Sequence, residues 1–227
     1  AFSFKDNDTL IIGTVDGTVG VSTNDSNVTI NLNAGDLTQT AGATFNGSGL
    51  ELAAPGGITL NEANAITTLA ARVFSTGNAQ FTDVDGFSVG SVGALLGVRT
   101  NDGAITLTTT AGDITVNNTA ADNDVNAVTS TVTMTAASDE AKITIDTLAD
   151  VEATGGVTIT ADKMDFDGTI TATSAIVTLK PETANDADAI DLGSTAETTG
   201  NTLELSDTEL DNITAATLRV GSSASGA

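Results

Sequence analysis

The side chains of this 227-residue chain that can do chemistry are almost all carboxylates: 30 Asp and Glu stand against seven Lys and Arg, with no His, Cys, Tyr or Trp. Five Asp-x-Asp pairs recur, at Asp6/Asp8, Asp83/Asp85, Asp122/Asp124, Asp165/Asp167 and Asp186/Asp188. On a strand, residues i and i+2 share a face, so each pair offers oxygens to a hard cation, and calcium is the possible cofactor such a surface invites. Calcium takes about six to eight oxygens, and the chain carries neither an EF-hand loop nor a GGxGxDxUx nonapeptide. In a chain this rich in Asp, such pairs also mark solvated walls and turns. No catalytic, cofactor-binding or metal-ligating residue is therefore assigned.

Other chemistries fall away in the same manner. Without His there is no imidazole base and no Ser-His-Asp triad; without Cys there is no thiolate or disulfide, which fits export without proving it. No P-loop and no GxGxxG after a strand is present. Paired Asp residues would suit glycoside hydrolysis, but a polysaccharide-degrading enzyme would want bases and stacking rings beside its acids. Here Lys5, Arg72, Arg99, Lys142, Lys163, Lys180 and Arg219 are scattered, and all seven aromatics are Phe. The expectation is no enzyme. A formal net charge of −23 repels phosphate backbones and anionic membrane surfaces, so neither nucleic acid nor a membrane is an expected partner. Thr-x-Thr is also frequent, at Thr106/Thr108, Thr131/Thr133/Thr135, Thr158/Thr160 and Thr169/Thr171/Thr173. Stacked in register, such threonines could order water and bind ice; threonine is equally the favoured outward residue of a strand, and irregular spacing along the chain is expected to spoil a ladder.

The elements that must position these residues are short strands. Signals fall at 9–15, 28–32, 50–53, 58–60, 87–92, 105–109, 114–116, 132–135, 143–145, 157–160, 164–166, 170–173, 176–179, 190–192, 203–205 and 218–220, many alternating apolar with Thr or Asp. Gly, Asn and Asp clusters punctuate them. Val157, Met164, Ile170 and Ile176 start strands in close, even succession, so that three strands close one circuit between Val157 and Ile176; other starts imply longer circuits. That recurrence predicts an all-β fold, a parallel β-helix (β-solenoid) with three strands per coil of about 19–25 residues. At that spacing the chain makes roughly eleven coils. A β-sandwich would prefer longer strands, hairpin signals and a more aromatic core.

The chain also repeats itself on a longer scale. Residues 4–38 align without a gap on 81–115, with 15 of 35 pairs identical. Residues 55–60 match 154–159 at a larger shift, so the second copy has gained material worth one whole coil. We read 1–227 as a single β-solenoid segment, with a long repeat at 4–80 and 81–180 and C-terminal coils at 181–227, and expect it to be an internal fragment of a longer array. Two stretches break the rhythm. Residues 61–74 carry Ile66, Leu69, Ala70 and Val73 at helical spacing, where a helix competes with strand, and Ser206 with Glu209 forms a capping box that predicts a helix over 207–213. Polar stretches 119–127 and 182–189 read as loops.

Three segments carry a resemblance. Residues 203–221 (LELSDTELDNITAATLRVG) resemble a segment recurring in very large filamentous-haemagglutinin-like bacterial surface proteins, as do 81–92 (FTDVDGFSVGSV) and 28–38 (VTINLNAGDLT). The resemblance implies a right-handed parallel β-helix, an extracellular location on a bacterial cell surface, and work as an adhesin or structural filament. Its expected partners are a host or neighbouring-cell surface, or a second copy met end to end. It carries over no catalytic residue; the family's N-terminal secretion domain, a signal peptide and an Arg-Gly-Asp are not found in the chain. The function expected is a structural or adhesive repeat segment forming a stiff acidic rod, the alternatives being a carbohydrate- or protein-binding adhesin module, a polysaccharide-degrading enzyme or an ice-binding solenoid.

Overall fold

The computed structural model describes residues 1–119, 124–182, 189–195, 200 and 202–221. The fold is all-β, and its main body is one 20-stranded sheet whose pairings are parallel. Alternation is the reason these segments are strands. Val28–Leu32 buries Val28, Ile30 and Leu32 and turns Thr29 and Asn31 outward; Ala79–Asp83 and Ile105–Thr109 repeat the pattern. β-Branched and aliphatic residues suit such a pleated, half-buried surface.

The register sorts the strands into three rows. Row 1 joins Phe2–Asp6, Val28–Leu32, the second half of Phe45–Ala54, the end of Ile58–Val73, Val98–Thr100, Val125–Ala127, Asp150–Ala153 and the starts of Thr169–Lys180 and Ile213–Val220. Row 2 joins Leu10–Ile12, Leu37–Gln39, the start of Ile58–Val73, Ala79–Asp83, Ile105–Thr109, Thr131–Ala136, Gly156–Thr160 and the ends of Thr169–Lys180 and Ile213–Val220. Row 3 joins Val21–Ser22, the start of Phe45–Ala54, the middle of Ile58–Val73, Phe87–Val89, Ile114–Val116, Lys142–Ile145 and Lys163–Phe166. Following the chain, strands visit rows 1, 2 and 3 in turn and then start again.

Each strand meets its partner one circuit further along the chain. The step is short from Val151 to Ile170 and long from Ile114 to Ile143, and the last one, from Ile170 to Ile213, is longer still. Among the described residues row 2 holds nine strands rather than the roughly eleven expected, because corner turns and excursions consume residues that strands do not. The inward side chains stack like on like: Leu60, Phe81, Leu107, Met134, Ile159 and Leu179 follow one another in row 2. Side chains from all three rows merge into a single apolar cluster, each fully buried Leu or Ile stabilising the fold by about 1.5–3 kcal/mol.

Two antiparallel hairpins interrupt the parallel sheet, Thr14–Val15 with Thr18–Val19 and Ser91–Val92 with Leu95–Leu96. They occupy equivalent places in the long repeat. In the first, Asp16 and Gly17 both have positive φ, the two-residue turn whose twist matches the strands it joins. The glycine that follows each, Gly20 or Gly97, also has positive φ and lies where a Cβ would strike the backbone of the next layer, at Thr44 and at Asp124. That close approach accounts for its identity in both copies.

All of the stretch 61–74 but Phe74 is strand, the greater part of Ile58–Val73. Its helical spacing arises because this one strand serves all three rows and turns two corners without a loop, so its buried positions keep neither a period of 2 nor one of 3.6. Val125–Ala127 is likewise a row-1 strand inside the expected loop 119–127; residues 120–123 of that loop and 183–188 of the second lie outside the described residues. The capping box forms as expected: Glu209 N–H donates to the Ser206 hydroxyl and Ser206 N–H to the Glu209 carboxylate, opening a helix at Asp207–Asp211. Ile213 then returns to the sheet.

Candidate functional site

The Asp-x-Asp pairs do not converge. Asp6 and Asp8 accept from the N–H groups of Asn7 and Thr9, their own neighbours. Asp165 pairs with Lys142 at 3.1 Å, and Asp167 accepts from the Thr147 hydroxyl at 3.5 Å. Asp122, Asp186 and Asp188 lie outside the described residues. Asp83 and Asp124 are fully buried. Asp124 accepts from Thr119 N–H at 2.8 Å and Asp150 N–H at 3.2 Å, tying two layers together.

Asp83 ends a polar column that runs inside the corner between rows 2 and 3. Gln39 donates to Asn64 Oδ1 at 2.6 Å, and Phe45 N–H donates to the same oxygen at 2.8 Å. The Asn64 amide donates in turn to the Thr82 carbonyl at 2.9 Å. One layer on, Asp83 accepts from the N–H groups of Ile66, Asp85 and Gly86, at 3.0, 3.1 and 3.1 Å. Corner N–H groups have no strand partner, and a buried one left unpaired costs about 1–3 kcal/mol; these side chains supply the acceptors. Burial pushes the Asp83 carboxyl up from 3.8 to about 6, the nearby Asp85 side chain adds to the rise, and the three backbone donors oppose it. Sequence reasoning missed Gln39 and Asn64. The available signal was an amide set between two alanines, Ala63 and Ala65.

A shallow recess of about 340 Å³ opens beside the helix, walled by Asp165, Asp167, Glu204 and Glu209 with Ser194 and Ser206. Its carboxylates are committed to the fold. Glu209 closes the capping box and accepts from Phe166 N–H at 3.2 Å, while Glu204 accepts from the Ser194 hydroxyl at 2.9 Å. Among the described residues, no group of three or more His, Cys, Asp or Glu is arranged to hold a metal ion.

The outward face of row 2 is the most regular surface. Thr106, Thr133, Thr158 and Thr178 stand in one column, and Thr108, Thr135 and the buried Thr160 in the next. Columns lie about 6.6 Å apart along the strand and successive members about 4.8 Å apart between strands. The expectation that irregular spacing would spoil this ladder is overturned: the extra residues sit at corners and leave the register of the wall intact. Thr169 and Thr171 belong to row 1, facing Asp150 and Glu152. No family model, curated protein or solved structure matches the chain. Its function has to be argued from this geometry.

Proposed function

We propose that the chain is a right-handed parallel β-helix serving as a stiff, acidic, non-catalytic repeat segment of a large secreted bacterial surface protein. The observation that carries this reading is the in-register recurrence of parallel strands through three rows, once per circuit of the chain. A chain that visits three rows in fixed order and buries one apolar cluster between them is accounted for by winding around that cluster. Parallel crossovers are nearly always right-handed. The acids of the recess are tied up in structural bonds, which favours reach and contact over catalysis. Resemblance of 203–221, 81–92 and 28–38 to filamentous-haemagglutinin-like proteins supports the adhesive or spacer role. Antibodies against the chain should label intact cells of the parent organism; labelling only after lysis overturns the surface assignment.

Among the described residues both outer strands of row 1 have one parallel partner, Phe2–Asp6 on Val28–Leu32 and Ile213–Val220 on Thr169–Lys180. Phe2 and Phe4 are 41% and 38% exposed at the first of these edges. Such edges template further strands, so end-to-end association of copies belongs to the same reading. Sedimentation velocity at raised salt, where repulsion between acidic copies is screened, should show concentration-dependent growth; a single monomer boundary throughout refutes it.

The threonine columns favour a second reading, binding of ordered water or ice by the row-2 wall. Purified chain would then restrain ice recrystallisation, and Thr133→Lys would abolish the effect by planting a charge mid-array. Equal ice growth with and without the chain rejects it.

A further inference from the structure

Four of the seven basic residues form two like-charged pairs of register partners, Lys142 with Lys163 and Arg72 with Arg99. Neighbouring strands lie about 4.8 Å apart, and like charges directly opposite destabilise a sheet. The fold treats the two pairs differently. Lys142 meets Asp165 at 3.1 Å and Lys163 meets Glu140, so the row-3 pair is neutralised one for one. Among the described residues Arg72 and Arg99 have no such partner. Their neighbours in the outward column of row 1 are Ala53 on one side and Asn126 on the other. Among the described residues, neither guanidinium has a carboxylate within ion-pair distance. The Nε of each arginine and Oδ1 of Asn126 are buried without a hydrogen-bond partner.

Two acids flank the pair in register, and both are engaged. Glu51, opposite Ala70, accepts from Ala94 N–H of the second hairpin at 3.0 Å; Glu152 accepts from the Asn126 amide at 2.9 Å. The Phe74 ring lies 5.4 Å beneath Arg72, and both arginines are half-buried. A chain of net charge −23 with 30 acids answers its lysine pair with two carboxylates and leaves its arginine pair open. The guanidinium is also the planar fork that grips an oxyanion by two parallel hydrogen bonds.

We propose that Arg72 and Arg99 form a binding site for a single oxyanion, a sulfate or carboxylate, bridged between their outer nitrogens. The site stands apart from the rod reading, and its failure would leave that reading untouched. The test is a titration of the full chain, followed by NMR at fixed ionic strength, with sodium sulfate, glucuronate, 6-sulfated N-acetylglucosamine and unsulfated N-acetylglucosamine. Saturable binding of the anionic probes is expected, weakened about tenfold or more by Arg72→Gln or Arg99→Gln and unchanged by Lys163→Gln. Arg99→Lys keeps the charge and most of the packing but removes the fork, and should lose affinity too; circular dichroism checks that each variant retains its strands. Tighter binding of the charged sugars than of sulfate assigns the site to a sugar-borne oxyanion, and equal binding assigns it to a free anion. No saturable binding, equal binding in the arginine variants, or equal binding of the neutral sugar overturns the proposal.

Discussion

Residues 4–38 and 81–115 are two copies of one block, yet they meet different surroundings. Phe4 is 38% exposed, whereas Phe81 is 3% exposed and packs edge-on against Phe87 at 5.1 Å. Asp6 lies at the open edge of the sheet, and Asp83 is sealed in the corner column. Val15 of the first hairpin is 77% exposed, but Val92 of the second is 3% exposed. The copies are not even in the same row. Phe4 belongs to row 1 and Phe81 to row 2, since ten strand steps separate them and ten is not a multiple of three. The residues gained later in the second copy supply two further strands, one short of the whole circuit expected, so Ile58 and its counterpart Val157 both stand in row 2. The difference teaches that the three rows are interchangeable frames for this block, and that energetic weight comes from the layers above and below.

The largest effect should separate the two phenylalanines. Phe81→Ala removes a ring packed between Leu60 and Leu107 and should cost about 3–5 kcal/mol in urea unfolding. Phe4→Ala, at a half-open edge, should cost no more than about 1 kcal/mol. Equal losses would mean that the edge is covered in solution.

Second comes Asp83. Its folded-state carboxyl, raised by burial to about 6 from 3.8, binds a proton more readily than in the unfolded chain. Its contribution to stability is therefore fully present below about pH 4 and lost as pH rises through about 6, a change on the order of 3 kcal/mol. Asp83→Asn should flatten the stability profile between pH 4 and 6. It also swaps an acceptor for a donor near Ile66 N–H, so the slope is the informative readout, and Asp6→Asn controls for the loss of one charge. A wild-type profile that rises across this window would contradict the assignment.

Much of the fold was legible in the sequence because one-sided strands announce themselves. Val28–Leu32, Ile105–Thr109 and Ile114–Val116 fall where alternation places them, and the Ser206 capping box needs only local bonds. What was not legible depends on partners distant in the chain. The row of a strand is set by how many corners precede it, and a corner without a loop, as at Asn64, leaves no punctuation. The fate of a carboxylate is equally non-local: Asp6 and Asp83 sit in the same Asp-x-Asp motif, and the next layer decides which becomes a bracket for backbone N–H groups. The regular threonine wall was hidden for the converse reason, since spacing along the chain counts corner residues that the wall never sees.

The smallest effect concerns the hairpins, and it asks what covers them. In the second copy the hairpin folds back over row 1, where Ala94 N–H reaches Glu51 and Val92 lies close over Gly49. Val92→Thr places a hydroxyl where water is excluded and should cost about 1–2 kcal/mol. Val15→Thr, in the equivalent place, changes a side chain that is exposed among the described residues and should alter stability by less than about 0.5 kcal/mol. Hydrogen exchange can read both hairpins in one sample, with the amides about Val92 protected and those about Val15 exchanging freely. If copies stack end to end, the first hairpin gains a layer beneath it, and both differences should narrow as protein concentration rises. A contrast that holds at every concentration would leave the first hairpin bare in solution and count against the stacked assembly.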